Sequence, residues 1–171
     1  MTRRLGPVLT ALLLAVASGC GGSSQKVATE PAPTTTTAEP GAAVLKDGVR
    51  RTLHDNDRLS GFVLWSNRVP GWATRSTRGP ALDTLRRSAA DRRKRGIRVR
   101  TVANRLVIRS IALEPSYTRA TAVVRSIQRI QPYRAGKALG RAIKLDERAQ
   151  VELRRLDASG RFVVWRVRVL Q

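Results

Sequence analysis

Reactive chemistry has few places to reside in this chain. It holds one cysteine, Cys20, and one histidine, His54. A single cysteine excludes an internal disulfide framework and any multi-cysteine metal site. One histidine excludes multi-histidine zinc centres. No Ser-His-Asp set, phosphate-cradling glycine loop or acidic metal cluster is visible. The stretch Gly136-Lys137-Ala138-Leu139-Gly140 lacks the strand-to-helix setting of a P-loop. No metal, no cofactor and no catalysis are therefore expected.

Two carboxylate groups merit comparison. His54-Asp55-Asn56-Asp57 falls at the expected end of a helix, with His54 about 100° off the Leu45-Val49-Leu53 stripe. It reads as a solvated helix terminus. Glu147 is different, because it shares its alternation phase with Ile143, Leu145, Ala149, Val151 and Leu153. An inward carboxylate is costly unless it is paired or open to water. Arg105 or Arg109 is a candidate partner. The favoured alternative is a bulge at Asp146-Glu147 that turns both outward; a role as catalytic base ranks last. With Trp165, Glu147 is a candidate lining residue of any internal cavity. Tyr117 and Tyr133 sit at turns and read as rim residues. Trp65, Trp72 and Trp165 read as packing residues before stacking platforms.

Positive charge is abundant: 33 Lys and Arg face 12 Asp and Glu, a net +21, and Arg outnumbers Lys 28 to 5. The densest run is Arg86-Arg87, then Arg92-Arg93-Lys94-Arg95, then Arg98 and Arg100. Of these, Arg92, Arg93, Lys94, Arg95, Arg98 and Arg100 are candidate anion-binding residues. Such a field attracts polyanions.

The elements that must position these groups follow from periodicity. Val44 to Arg58 has helical spacing and is expected to end before Gly61. Phe62-Val63-Leu64-Trp65 is ambiguous, and Asn67 to Gly79 reads as a loop. Pro80 opens a second helix, Leu82, Leu85 and Ala89 continue one face, and Gly96 closes it. Strands are expected at Ile97–Leu113, Tyr117–Ile130, Arg141–Leu156 and Arg161–Leu170, the last placing Val163, Trp165, Val167 and Val169 on one face. Period-two alternation with short connections implies an antiparallel meander with one face buried. The fold class is α+β: N-terminal helices packed on a curved four-stranded antiparallel sheet.

The start of the chain is an address. Arg3 and Arg4 precede the apolar run Val8-Leu9-Thr10-Ala11-Leu12-Leu13-Leu14-Ala15-Val16. A bilayer-spanning helix needs roughly 20 apolar residues, so the run reads as a secretory signal. Then comes Ala17-Ser18-Gly19-Cys20, which resembles the lipobox of bacterial lipoproteins, although Ala17 stands where a large aliphatic residue is usual. The resemblance implies cleavage between Gly19 and Cys20, diacylation of the Cys20 sulfur by palmitate-like chains, and attachment to the extracytoplasmic face of the cell membrane. Residues 1–19 would be the signal peptide. Residues 20–41 would be the lipidated cysteine and a Gly/Ser/Thr/Pro tether too poor in apolar residues to order. Such a tether spans about 25 Å as a flexible coil and about 65 Å when extended. Loss of Arg3 and Arg4 leaves 31 basic and 12 acidic residues, a charge of +19.

Residues 42–171 form the expected folded part. Their order of elements and strand alternation are similar to the nuclear transport factor 2-like (NTF2-like) superfamily, a cone made by a bent sheet around helices. Cystatin-like folds share the helix-before-meander order and are the nearest rival. The NTF2-like resemblance implies one of two kinds of protein. Some members are enzymes, such as ketosteroid isomerases and small polyketide cyclases, with Asp, His or Tyr inside the cone. Others are non-catalytic modules of secreted or anchored bacterial proteins. The leading expectation is the second: a membrane-anchored binding or accessory module. An enzyme or small-ligand carrier with an apolar cone is one alternative, and a binder of polyanions or anionic membranes is the other. Partners outside the membrane would be the bilayer through Cys20, anionic headgroups, wall polymers or an acidic protein. Export argues against nucleic acid.

Overall fold

The structure, a computed structural model, describes residues 40–170. The expectations for the leader, Gly19, Cys20 and the tether up to residue 39 lie outside the described residues.

Helix α1 spans Ala42–Ser66 and buries Leu45, Val49, Leu53, Leu59 and Val63 along one stripe. It does not stop at Arg58 but runs through Gly61 and takes in Phe62 to Trp65. A mid-helix glycine costs only about 1 kcal/mol, and burial of Leu59 and Val63 exceeds that. The helix ends at Asn67, which takes the left-handed conformation (φ 54°) and donates its N–H to the Val63 carbonyl. A short 3-10 turn at Gly71–Arg75 occupies part of the expected loop. Helix α2 spans Gly79–Lys94 with Pro80 in its first turn.

Five strands follow: β1 Ile97–Leu113, β2 Arg119–Arg134, β3 Lys137–Ala138, β4 Ile143–Arg155 and β5 Phe162–Leu170. All neighbours pair antiparallel in the order β1-β2-β4-β5, with the two-residue β3 on β2. Strand β2 continues past Ile130 into the expected loop because β1 offers it partners to the end, Val99 opposite Pro132 and Ile97 opposite Arg134. Pro132 lacks a donor, but its carbonyl accepts from Leu139 N–H at 2.8 Å.

Register shifts interrupt the ladders at Thr101/Ala103, Ile108/Ser110 and Glu152/Leu153. Each extra residue bends and twists its strand, and the sheet curves over the helices. One core unites Leu45, Val49 and Leu53 of α1 with Ala122, Val124, Val151, Leu153, Phe162 and Val164 of the sheet. A second joins Leu59 and Val63 to Leu82 and Ala89 of α2. The segment before α2 also braces β5: Arg78 N–H donates to the Val164 carbonyl at 2.9 Å, and Val164 N–H to the Ser76 carbonyl at 2.8 Å. This short parallel bridge at Thr77 and Val164 covers the start of an otherwise open edge.

The β4–β5 turn is held by Asp157. Its carboxylate accepts from Ser159 N–H at 3.0 Å and from Arg161 Nε at 2.7 Å, and also from the Ser159 hydroxyl. These bonds, Ser159 first and Arg161 next, hold its pKa down at about 2. A folded-state value below the unfolded one of about 3.9 gives stability that is present above pH 4 and lost as pH falls through 2. Thermal melts of wild type and Asp157→Asn should therefore differ at pH 6 and converge as pH drops from 4 to 2. A gap that persists unchanged at pH 2 would refute this role.

Candidate functional site

A cleft of about 330 Å³ lies between the helices and the concave face of the sheet. Its floor is apolar, built from Val124, Ala149 and Val151 of the sheet with Leu53 and Ala81 of the helices. Alternation along β2 and β4 aims these side chains inward, and Leu106 of β1 stands opposite Ser126 on the same face. Val167 and Val169 of β5 line the cleft while remaining 48% and 60% exposed. Two large aliphatic side chains on an open wall keep part of the cleft apolar but uncovered.

Glu147 lies on this wall. It sits directly opposite Ser126, between the pairs Asp146–Ile127 and Arg148–Arg125, in unbroken register. The expected bulge at Asp146-Glu147 does not exist; the bulge of β4 and β5 lies at Glu152/Leu153 instead. Asp146 faces the other side of the sheet, where Arg125 grips it in a bidentate pair at 2.6 and 2.7 Å. That pairing holds the Asp146 carboxyl below its ordinary range. Nor does Arg105 or Arg109 reach Glu147. Arg105 is paired opposite Ile127 and lines a separate depression with Arg129 and Lys144. Arg109 sits at a register shift beside Lys46 and Arg50. Glu147 has no ion-pair partner among the described residues and avoids a burial penalty by opening to solvent at the mouth of the cleft.

The α1 wall corrects a second expectation. His54 and Asp55 are exposed, as a solvated terminus requires. Asn56, Asp57 and Ser60, however, line the cleft, because the helix continues and places them three, four and seven residues from Leu53 on its inner side. Asn56 Nδ2 donates to the buried Thr77 Oγ1 at 2.6 Å. Asp57 accepts from Asn104 Nδ2 at 2.5 Å. Gln128 Nε2 donates to Ser126 Oγ at 3.0 Å. The signal that could have found these residues is the spacing from Leu53, which the assumed helix end obscured.

Trp165 does not line this cleft but a separate depression with Glu152 and Arg154. The β5 bulge places Leu153 opposite Val164 and Glu152 opposite Arg166, so the phase changes at Trp165. Its ring stands outside the cleft, with the Arg154 guanidinium 3.7 Å from its centroid. The expected face of Val163, Trp165, Val167 and Val169 is thus broken in the middle.

The basic run divides likewise. Arg92 is taken by the fold: its Nε donates to Asn67 Oδ1 at 3.1 Å and its guanidinium to Ser88 Oγ at 2.7 Å and the Val63 carbonyl at 3.3 Å. Asn67 Nδ2 in turn donates to the Ile97 carbonyl at 2.6 Å. This cluster ties the end of α1 to α2 and β1, and burial lowers the Arg92 pKa. Arg93, Lys94, Arg95, Arg98 and Arg100 do converge, on a groove of about 830 Å³. Arg68 and Arg134 join them there from positions remote in sequence, as do Trp65 and Tyr133.

The fold and cleft define the class: a two-helix, curved-sheet α+β domain with a pocket between its layers. No family model matches the chain, and no curated protein matches it in sequence. Among solved structures, the intermembrane-space region of chloroplast protein ARC6 is similar, with a TM-score of 0.62 at 10% identity over 72% of this chain and 95% of that one. That likeness is one of fold. A structure from Catenulispora acidiphila matches with a TM-score of 0.34 at 15% identity, covering 74% of this chain and 89% of that one.

Proposed function

We propose that this protein is a lipid-anchored, extracytoplasmic module of NTF2-like type that binds a small molecule in its helix–sheet cleft without transforming it. The observation that carries the reading is Glu147, an inward carboxylate without an ion-pair partner at the rim of an apolar cavity of ligand size. In a chain with 28 arginines, seven described carboxylates pair with arginine. Against that background an unpaired Glu147 is available to a ligand. The matching ligand has an apolar body to cover Val124, Val151, Val167 and Val169, and an amine or hydroxyl donor to meet Glu147. Pockets of this size commonly pair an apolar lining with a few placed polar groups.

Of the Asp, His and Tyr groups that NTF2-like enzymes place inside the cone, the described residues of the cleft include only carboxylates. His54 is outside it, no tyrosine lines it, and Asp57 is already engaged by Asn104. Binding is accordingly the better-supported role than turnover.

The reading is tested on full-length protein in detergent, screened by ligand-observed NMR against compact apolar amines and alcohols. At least one compound is expected to bind, to weaken about tenfold with Glu147→Gln, which is the order of one charge-assisted hydrogen bond, and to be lost with the cavity-filling Ala149→Phe. Absence of any binder, or binding indifferent to both substitutions, overturns it.

A further inference from the structure

The groove at the other end of the helices presents a different chemistry. Arg68 follows the end of α1, Arg93 and Lys94 close α2, Arg98 and Arg100 begin β1, and Arg134 ends β2. All six are exposed, and none has an ion pair among the described residues. Arg95, which also lines the groove, is paired with Asp91 at 3.1 Å. Among the described residues, no carboxylate lines the groove.

Helix electrostatics accounts for only part of this gathering. Cations in the last turn of a helix offset its partial negative charge, which explains Arg93 and Lys94. Arg68, just past the α1 C-cap, is favoured in the same way, but Arg98, Arg100 and Arg134 lie on strands and are not explained by it. Four separate segments bring like charges within one concavity, where they repel each other and are relieved by a bound anion. The spread over four chain segments suits several negative charges in sequence rather than one.

Shape and aromatic contacts narrow the occupant. Exposed cations arrayed around one concavity are all reached by a chain that lies along it, whereas a flat bilayer meets only those on its rim. Trp65 packs edge-on against Tyr133 with centroids 5.8 Å apart, and the Arg98 guanidinium stands 6.0 Å from the Trp65 centroid. The indole stays 45% exposed but Tyr133 is half-buried, so the groove offers one open ring rather than the succession of aromatic platforms on which single-stranded nucleic acid stacks its bases.

We infer that this groove binds a linear phosphodiester polyanion without bases, of the polyol-phosphate type. The inference stands on the groove alone and is independent of what the cleft binds or how the chain is anchored.

The probe is a synthetic glycerol-phosphate oligomer of about a dozen units, titrated into full-length protein in detergent and followed by isothermal calorimetry. An oligothymidylate of equal charge and anionic phosphatidylglycerol vesicles are run beside it. The oligomer is expected to bind tightest, with affinity falling as salt rises. The triple variant Arg98→Gln/Arg100→Gln/Arg134→Gln should weaken it more than tenfold. A control losing the same charge elsewhere, Arg51→Gln/Arg109→Gln/Arg148→Gln, should change it less than threefold. All six positions are exposed, and thermal melts confirm that both variants fold. Equal losses in the two triples would reduce the effect to net charge and overturn the site. Tighter binding of the oligothymidylate would overturn the choice of polymer, and binding to vesicles alone would overturn the polymer altogether.

Discussion

Cys20→Ala is expected to abolish lipid labelling and to take the chain off the membrane wherever its leader is removed. The wild type, labelled in cells with a palmitate precursor, should carry the label and sediment with membranes; the variant should carry none and, once its leader is removed, appear in the soluble or secreted fraction. Two acyl chains at about 0.8 kcal/mol per buried methylene suffice for stable attachment, and one is marginal. No helix among the described residues is long and apolar enough to cross a membrane. The positive surface could imitate an anchor, since each basic residue near anionic lipid contributes about 1 kcal/mol. Washing in about 1 M salt, where the screening length falls to roughly 3 Å, separates the two. Acylated protein resists the wash, while a domain held by charge is released. Label on the Cys20→Ala chain, or salt-resistant retention of that chain after its leader has been removed, would end the anchoring proposal.

The sequence made some levels of this molecule legible and hid others, for identifiable reasons. Helix–meander order and antiparallel pairing were readable because alternation and glycine or proline punctuation are local signals. The extent of α1 was not, because Gly61 looks like a stop, whereas the continued stripe of Leu59 and Val63 is buried against α2. Glu147 was correctly placed on the apolar face, yet the bulge invoked to remove it belongs six residues further on. A bulge is decided by pairing between strands, which no single strand discloses. That same bulge sent Trp165 out of the cleft. For the basic groove, the run from Arg93 to Arg100 was visible as a run. Arg68, Arg134, Trp65 and Tyr133 were not, because only the fold brings the ends of α1, α2 and β2 together. The role of Arg92 was hidden for the same reason: its acceptors, Asn67 and the Val63 carbonyl, are about 25 and 29 residues away.

Two alanines in one helix should move stability in opposite directions. Gly48 faces the β4–β5 turn so closely that an added Cβ would collide with the Gly160 carbonyl oxygen and come within 3.6 Å of Phe162. The turn cannot yield easily. Gly160 has φ +80°, Leu45 is packed against it, and Asp157 fixes the preceding residues. One turn further along the same face, the Thr52 hydroxyl donates to the Phe162 carbonyl at 3.0 Å. Pushing α1 outward at Gly48 would strain that bond and loosen Leu45, Val49 and Phe162 together. Overpacking costs roughly 1–3 kcal/mol and a lost hydrogen bond about 1 kcal/mol. Gly48→Ala is therefore expected to destabilise by about 2–4 kcal/mol, a large part of a typical domain's stability, and to lower Tm by roughly 10 °C. At Gly61 the space beyond the backbone is open. There alanine only restricts the unfolded chain, and Gly61→Ala should stabilise by about 0.5–1 kcal/mol. Thermal melts of the two variants decide the matter. If Gly48→Ala melts with or above wild type, α1 is not seated on the β4–β5 turn, and the wall that carries Asn56, Asp57 and Ser60 into the cleft loses its support.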